Sequence, residues 1–149
     1  MYYDLRDQEL IVKRCSVLNL PEVRDSRGNL AFIESGINIP FEIKRVYFLY
    51  DIPSNAVRGG HAHRKLEQLI VSLSGSFNIR LDDGQSEQNI LLNNPSKGLL
   101  LQTGVWRELN SFSSGATALV LASTQYDSKE YIRDYDEFLA FSSELKSES

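Results

Sequence analysis

Residues 58–75 read RGGHAHRKLEQLIVSLSG and contain both histidines of the 149-residue chain, His61 and His63. In a β-strand, residues i and i+2 point to the same face, so two imidazoles so spaced project together into whatever that face lines. Groups with an ordinary pKa of about 6.5 suit proton transfer at neutral pH or metal ligation. The pair alone leaves that choice open. Packing is a weak account of it, because two same-face histidines beside Arg58 and Gly59-Gly60 make poor core material.

Outward from this stretch, the chain reads as short β-like runs broken by turns. LIVKRCSVLNL (10–20), NLAFIESG (29–36), KRVYFLYDI (44–52), EQLIVSLSG (67–75), SFNIRLDDG (76–84), QNILLNN (88–94), GLLLQTG (98–104), WRELNSFS (106–113) and ATALVLAS (116–123) all fit strands. Turn signals stand at 25–28, 53–55, 75, 82–84, 93–97 and 113–115. Asp83-Gly84 marks a tight hairpin, since glycine readily takes the positive φ such turns demand. Phe77, Ile79 and Leu81 alternate with Ser76, Asn78 and Arg80, giving one apolar face. Many short strands without intervening helices predict an antiparallel sandwich or barrel over about residues 10–125. Near the C-terminus, Ile132, Tyr135, Phe138, Leu139 and Leu145 take helical spacing, and Asp127 with Glu130 resembles a capping box. These predict an amphipathic helix over 129–146, with 147–149 frayed. The sequence holds no repeat or linker, so residues 1–149 are expected to form one domain.

A net charge of −4 argues against a non-specific nucleic-acid binder but leaves room for a local basic pocket. No apolar run approaches the roughly 20 residues of a membrane helix. The start, MYYDLRDQELIVKRC, has early acidic residues and no clean apolar region with a cleavage site, so no signal peptide is expected. Cys15 is the only cysteine, which excludes an internal disulfide and fits a reducing cytoplasm. Among Val12, Val17 and Leu18 it reads as a small buried hydrophobe rather than a nucleophile.

His61-Ala62-His63, then Glu67, then Gly75, resembles the first motif of the cupin superfamily, in which the HxH pair and the glutamate usually hold a divalent metal. In GLLLQTGVWRELN (98–110), where the second motif would supply another histidine, the expected position falls on Arg107 or Trp106. A guanidinium stays protonated and has no lone pair to donate, and it would repel a metal beside it. His61, His63 and Glu67 alone could still form a three-ligand catalytic site. The arginine favours a metal-free site with no cofactor. Arg45 and Tyr47 share one face of KRVYFLY, and with Arg27, Arg58 and Arg107 they are candidates to line a pocket. Arginine's fork of parallel donors suits a diphosphate. Trp106 is a candidate to stack on a base or sugar ring, with core packing as its alternative.

Together, DSRGNLAFIE, IPFEIKRVYFLYDIP, RGGHAHRKLEQLIVSLSGSFNIRLDDG, VWRELNSFSSGATALVLAS and YIRDYDEF resemble the cupin-fold sugar nucleotide 3,4-ketoisomerases, or WxcM-like proteins, over about residues 15–141. The resemblance implies a mostly β fold, a cupin jelly-roll antiparallel β-barrel with a short C-terminal α-helix. It implies a cytoplasmic, cofactor-independent isomerase that moves the keto group of dTDP-4-keto-6-deoxyglucose from C4 to C3. The product would feed synthesis of 3-amino-3,6-dideoxyhexoses for lipopolysaccharide or S-layer glycans. The catalytic pair would fall on His61 and His63, diphosphate and nucleotide contacts on Arg45 and Arg58, and Tyr47 near the sugar. We expect His63 as the base at C3, His61 as the shuttle near C4, and Tyr47 or an arginine as donor to the enediolate. The family also implies a homodimer with exchanged N-terminal strands, giving residues 10–20 a role at the interface. Arg27 and Arg107 fall at positions that vary between members of opposite C4 configuration. Members with arginine at the first commonly carry histidine at the second, whereas this chain has arginine at both. A metal-dependent cupin enzyme and a non-catalytic sugar nucleotide binder are the alternatives; the second would not need paired imidazoles.

Overall fold

The computed structural model describes residues 10–147. Its strands are β1 (Cys15–Asn19), β2 (Glu22–Asp25), β3 (Gly28–Ala31), β4 (Arg45–Leu49), β5 (Arg58–His63) and β6 (Gln68–Ser74). There follow β7 (Phe77–Asp82), β8 (Glu87–Leu92), β9 (Lys97–Leu101), β10 (Trp106–Asn110), β11 (Thr117–Ala122) and β12 (Tyr131–Ile132), then helix α1 (Tyr135–Ser147). Two five-stranded sheets form, in the orders β1-β9-β6-β11-β4 and β12-β5-β10-β7-β8, and β2 and β3 make a separate hairpin. Every pairing is antiparallel. This is the mostly β architecture expected.

Period-2 alternation builds three apolar layers. Phe77, Ile79 and Leu81 of β7, all fully buried, meet Ile70, Leu99, Leu101 and Val120 between the sheets. On the outer face of the first sheet, Leu69, Val71, Leu100 and Leu121 lie under Leu20, Ile39 and Phe41. On the outer face of the second, Ala62, Trp106 and Ile132 lie under Phe138 of α1. Burying a side chain of this size contributes roughly 1.5–3 kcal/mol. The β7–β8 turn closes through Asp83, whose backbone N–H donates to the Ser86 carbonyl while its carboxylate accepts from the Gln85 and Ser86 amides.

Several expected boundaries move. Of residues 29–36, only the first few are strand; the chain then leaves the hairpin to lay Ile39 and Phe41 on the first sheet. Strand β2, with its sparse apolar content, gave no sequence signal. The C-terminal helix starts at Tyr135 rather than at 129. Asp127 caps only a short 3-10 turn over Ser128–Glu130, accepting from the Lys129 amide. The true cap is Asp134, whose carbonyl and carboxylate accept from the Phe138 and Glu137 amides. Residues 131–132 are drawn out of helical conformation by the free edge of β5, where Tyr131 pairs with His63 and Ile132 with Ala62. Residues 148 and 149 of the expected frayed end lie outside the described residues.

Candidate active site

A cavity of about 550 Å³ opens between the sheets. Alternation along the strands sets its walls: Arg45, Tyr47 and Leu49 from β4, Gln68 and Ile70 from β6, Arg107 and Leu109 from β10, and Val120 from β11. Strand β5 contributes His61, and Tyr126, Tyr131 and Arg133 close the side nearest the C-terminal segment.

A bulge aims His61. The pairing of β10 with β5 shifts register so that Arg107 faces His61 while Glu108 faces Gly59, leaving Gly60 unpaired. Gly59 and Gly60 take φ of +89° and +74°. A Cβ on Gly59 would stand 2.9 Å from the Arg107 carbonyl oxygen, so this approach of backbones requires glycine.

The imidazoles of His61 and His63 lie 4.8 Å apart, edge to face. The Tyr131 ring packs against both, at 4.9 and 4.6 Å. Their exposures differ. His61 lines the cavity, whereas His63 is 0% exposed and sits behind it. Neither nitrogen of His63 has a hydrogen-bond partner among the described residues. Burial, and then the Arg107 charge, pushes His61 down to about 3; a hydrogen bond to the Gly59 backbone offsets part of this. The same two causes lower His63 further. Both rings are therefore neutral at physiological pH and carry a lone pair.

The charge in the cavity is of one sign. Arg45, Arg58, Arg107 and Arg133 line it, with no carboxylate among the lining residues, in a chain of net charge −4. Arg107 is buried and donates from Nε to the Val105 carbonyl (3.0 Å) and from Nη1 to Gln68 Oε1 (2.6 Å). Its Nη2, and Nε and Nη2 of Arg45, are buried without a partner. Burial lowers Arg107 to about 10, which still leaves it cationic. The Arg45 guanidinium lies against the rings of Tyr47 (5.4 Å) and Tyr126 (5.6 Å), and Arg133 lies 4.5 Å from Tyr131. An unsatisfied buried donor costs about 1–3 kcal/mol. Several of them converging on one cavity describe a site built for an anionic, acceptor-rich ligand.

The donor set does not fit a divalent metal. Glu67 turns away, its carboxylate accepting from Gln102 Nε2 at 3.2 Å in an exposed setting. Among the described residues, no three His, Cys, Asp or Glu side chains converge as ligands. Arg107 pairs with His61 across β10 and β5, and its guanidinium has no lone pair to donate to a metal.

Comparison with known proteins places this constellation. The FdtA profile, described as WxcM-like, C-terminal, matches residues 13–143. The chain belongs to the FdtA WxcM-like family. It is 46% identical over 132 residues to the TDP-4-oxo-6-deoxy-alpha-D-glucose-3,4-oxoisomerase of Aneurinibacillus thermoaerophilus, covering 89% of this chain and 95% of that protein. The WlaRB TDP-quinovose 3,4-ketoisomerase of Campylobacter jejuni is 50% identical and superposes with a TM-score of 0.84 over 87% of this chain and 99% of its own. QdtA, a 3,4-ketoisomerase of Thermoanaerobacterium thermosaccharolyticum, is 39% identical with a TM-score of 0.88, covering 90% of this chain and 97% of its own. That crystal structure is of a histidine-to-asparagine mutant in complex with TDP-4-keto-6-deoxyglucose.

Within this FdtA-type fold, His61, Tyr47, Arg45, Arg58 and Arg107 come together at the cavity, with His63 just behind. Two of the expected residues stand outside the cavity of this chain. Trp106 faces away from the cavity because its neighbour Arg107 faces in; its ring packs against Tyr135 and Phe138 under α1. Arg27 sits at the tip of the β2–β3 hairpin, 88% exposed in its side chain and paired with Asp25 at 2.8 Å. Cys15 is partly buried, donates to the Val12 carbonyl and is raised by burial to about 11, consistent with a packing role. Sequence reasoning missed Gln68, Tyr126, Tyr131 and Arg133. Gln68 did carry a signal: it is polar at an inward position, in step with Ile70, of an otherwise apolar strand.

Proposed function

We propose that the protein converts TDP-4-keto-6-deoxy-D-glucose to a TDP-3-keto-6-deoxyhexose by proton transfer, without metal or cofactor. One observation carries the reading: a neutral, cavity-facing imidazole stands beside buried arginine donors that lack partners. Arg45, with Arg58 and Arg133 beside it, binds the diphosphate, and the apolar and aromatic wall takes the sugar.

The C4 ketone acidifies the C3 hydrogen. His61 removes that proton and the electron pair moves onto the C4 oxygen, giving an enediolate. A proton is then delivered to C4, the proton of the C3 hydroxyl passes to the C4 oxygen, and the carbonyl reforms at C3. No atom is gained or lost. His61, not His63, is the base in this scheme, because only His61 meets the cavity. That reverses the order read from sequence. His63, with both nitrogens free, relays protons from behind.

The protein works as a homodimer in this reading. Strand β1 is already paired along its length with β9 of its own chain, so residues 15–19 are not the free segment. The β2–β3 hairpin is the better candidate for exchange, since it exposes Val23 and Leu30 to more than half their area. No helix among the described residues is long and apolar enough to cross a membrane. We assign the protein to the cytoplasm, where its lone thiol stays reduced, and its product to aminotransfer for lipopolysaccharide or S-layer glycans.

Incubation of protein purified without chelator with TDP-4-keto-6-deoxyglucose, followed by NMR, tests the reading. A 3-keto product from protein lacking stoichiometric iron, manganese or zinc is expected. Unchanged substrate, or activity that tracks a bound metal, would overturn it.

A further inference from the structure

Gln68 opens β6 between β9 and β11 and is 1% exposed, so its backbone is fixed by neighbours on both sides. Its amide touches two groups. The Arg107 guanidinium has donors only, so the carboxamide oxygen must face Nη1, at 2.6 Å. The amide nitrogen is then left to face the Tyr47 hydroxyl, at 3.0 Å. Since that nitrogen can only donate, the Tyr47 oxygen must accept. The single Tyr47 proton is thereby turned away from Gln68, on a side chain that lines the cavity.

We propose that Gln68 is a positioning residue that sets the direction of the Arg107–Gln68–Tyr47 chain and so fixes the Tyr47 hydroxyl as a hydrogen-bond donor into the cavity. Under the ketoisomerase reading, on which this rests, the recipient is the oxygen that gains charge as the C3 proton leaves. Every polarity in the chain is determined. Arg107 is anchored by Nε on the Val105 carbonyl, and the Arg45 guanidinium lies against the Tyr47 ring. Burial also raises the Tyr47 phenol, so it stays protonated as a donor.

The side-chain type matters more than its shape. A glutamate at position 68 is nearly isosteric, yet it can accept from Arg107 and Tyr47 alike. It would draw the Tyr47 proton back toward itself while giving the buried Arg107 a carboxylate partner. Gln68→Glu should therefore keep or gain thermal stability while losing turnover. A merely structural role for Gln68 predicts no such opposition.

The test compares wild type, Gln68→Glu, Tyr47→Phe and the double variant. For Gln68→Glu and Tyr47→Phe, kcat should each fall about 100-fold with KM changed less than about threefold, and the double variant should fall no further than Tyr47→Phe. Gln68→Glu turning over within about threefold of wild type, or losses that multiply in the double variant, would overturn the proposal. A substrate-free readout separates this from the fate of the reaction assignment. In 13C-tyrosine NMR of the free protein, Gln68→Glu should shift the Tyr47 Cζ resonance and move the phenol's titration upward; no movement would overturn the proposed polarity. A wild-type protein inert toward the keto-sugar would sink the ketoisomerase reading and the recipient assigned to the Tyr47 proton with it.

Discussion

Lowering the pH should destabilise the free protein between about pH 7.5 and 5.5, and only two groups should be responsible. The chain holds just two histidines, and both are driven well below their ordinary value by burial and by Arg107. In the unfolded chain each titrates at about 6.5. The unfolded state therefore binds more protons as pH falls, and stability present above pH 6.5 is lost below it. A group that stays neutral when folded loses about 1.4 kcal/mol across that interval, so the pair should cost about 2.7 kcal/mol. The carboxylates resolved as shifted, Asp25 and Asp83, are lowered and change protonation below this window. Urea unfolding at fixed protein concentration, in buffer free of phosphate, measures the difference. His63→Asn should retain about half of the slope. A wild-type stability that is flat or rises as pH falls would refute the buried, neutral histidine pair.

Other expectations follow from single contacts. His61→Asn should reduce turnover by at least about 1,000-fold while TDP still binds, checked by calorimetry beside the rate assay. Arg45→Ala should raise KM about 10–100-fold and weaken the salt dependence of binding, because its unpaired donors face the anion site. Gly59→Ala should lower the melting temperature and kcat together, since its Cβ meets the Arg107 carbonyl and the bulge that aims His61 must shift. Trp106→Ala should cost about 3–5 kcal/mol in chemical unfolding while leaving KM unchanged, as befits a side chain packed under α1.

What could be read from the sequence divides along physical lines. Strands with clean alternation declared both their existence and their faces: Phe77, Ile79 and Leu81 are buried as their spacing required, and the Arg45–Tyr47 face is the cavity wall. Both histidines fall on one strand and one face because spacing of two is a local property. The Trp106–Arg107 pair shows the same rule giving a correction: adjacent strand residues cannot both face the ligand, and Arg107 took the inner side. Tyr131 was hidden because Ile132, Tyr135 and Phe138 mimic a helical stripe. The edge of β5, a partner far away in sequence, claims 131–132 as a strand instead. The order of the two imidazoles was equally invisible, since it depends on which ring the closing segment covers.

In the proposed reaction His61 takes the proton from C3, and C4 is reprotonated from an exchangeable source. Running the conversion of TDP-4-keto-6-deoxyglucose in D2O and locating deuterium in the 3-keto product by NMR tests it directly. Deuterium bonded to C4 is expected, with incorporation abolished in His61→Asn. A 3-keto product whose C4 hydrogen came intact from C3, with no deuterium there, would contradict it and point to hydride transfer instead.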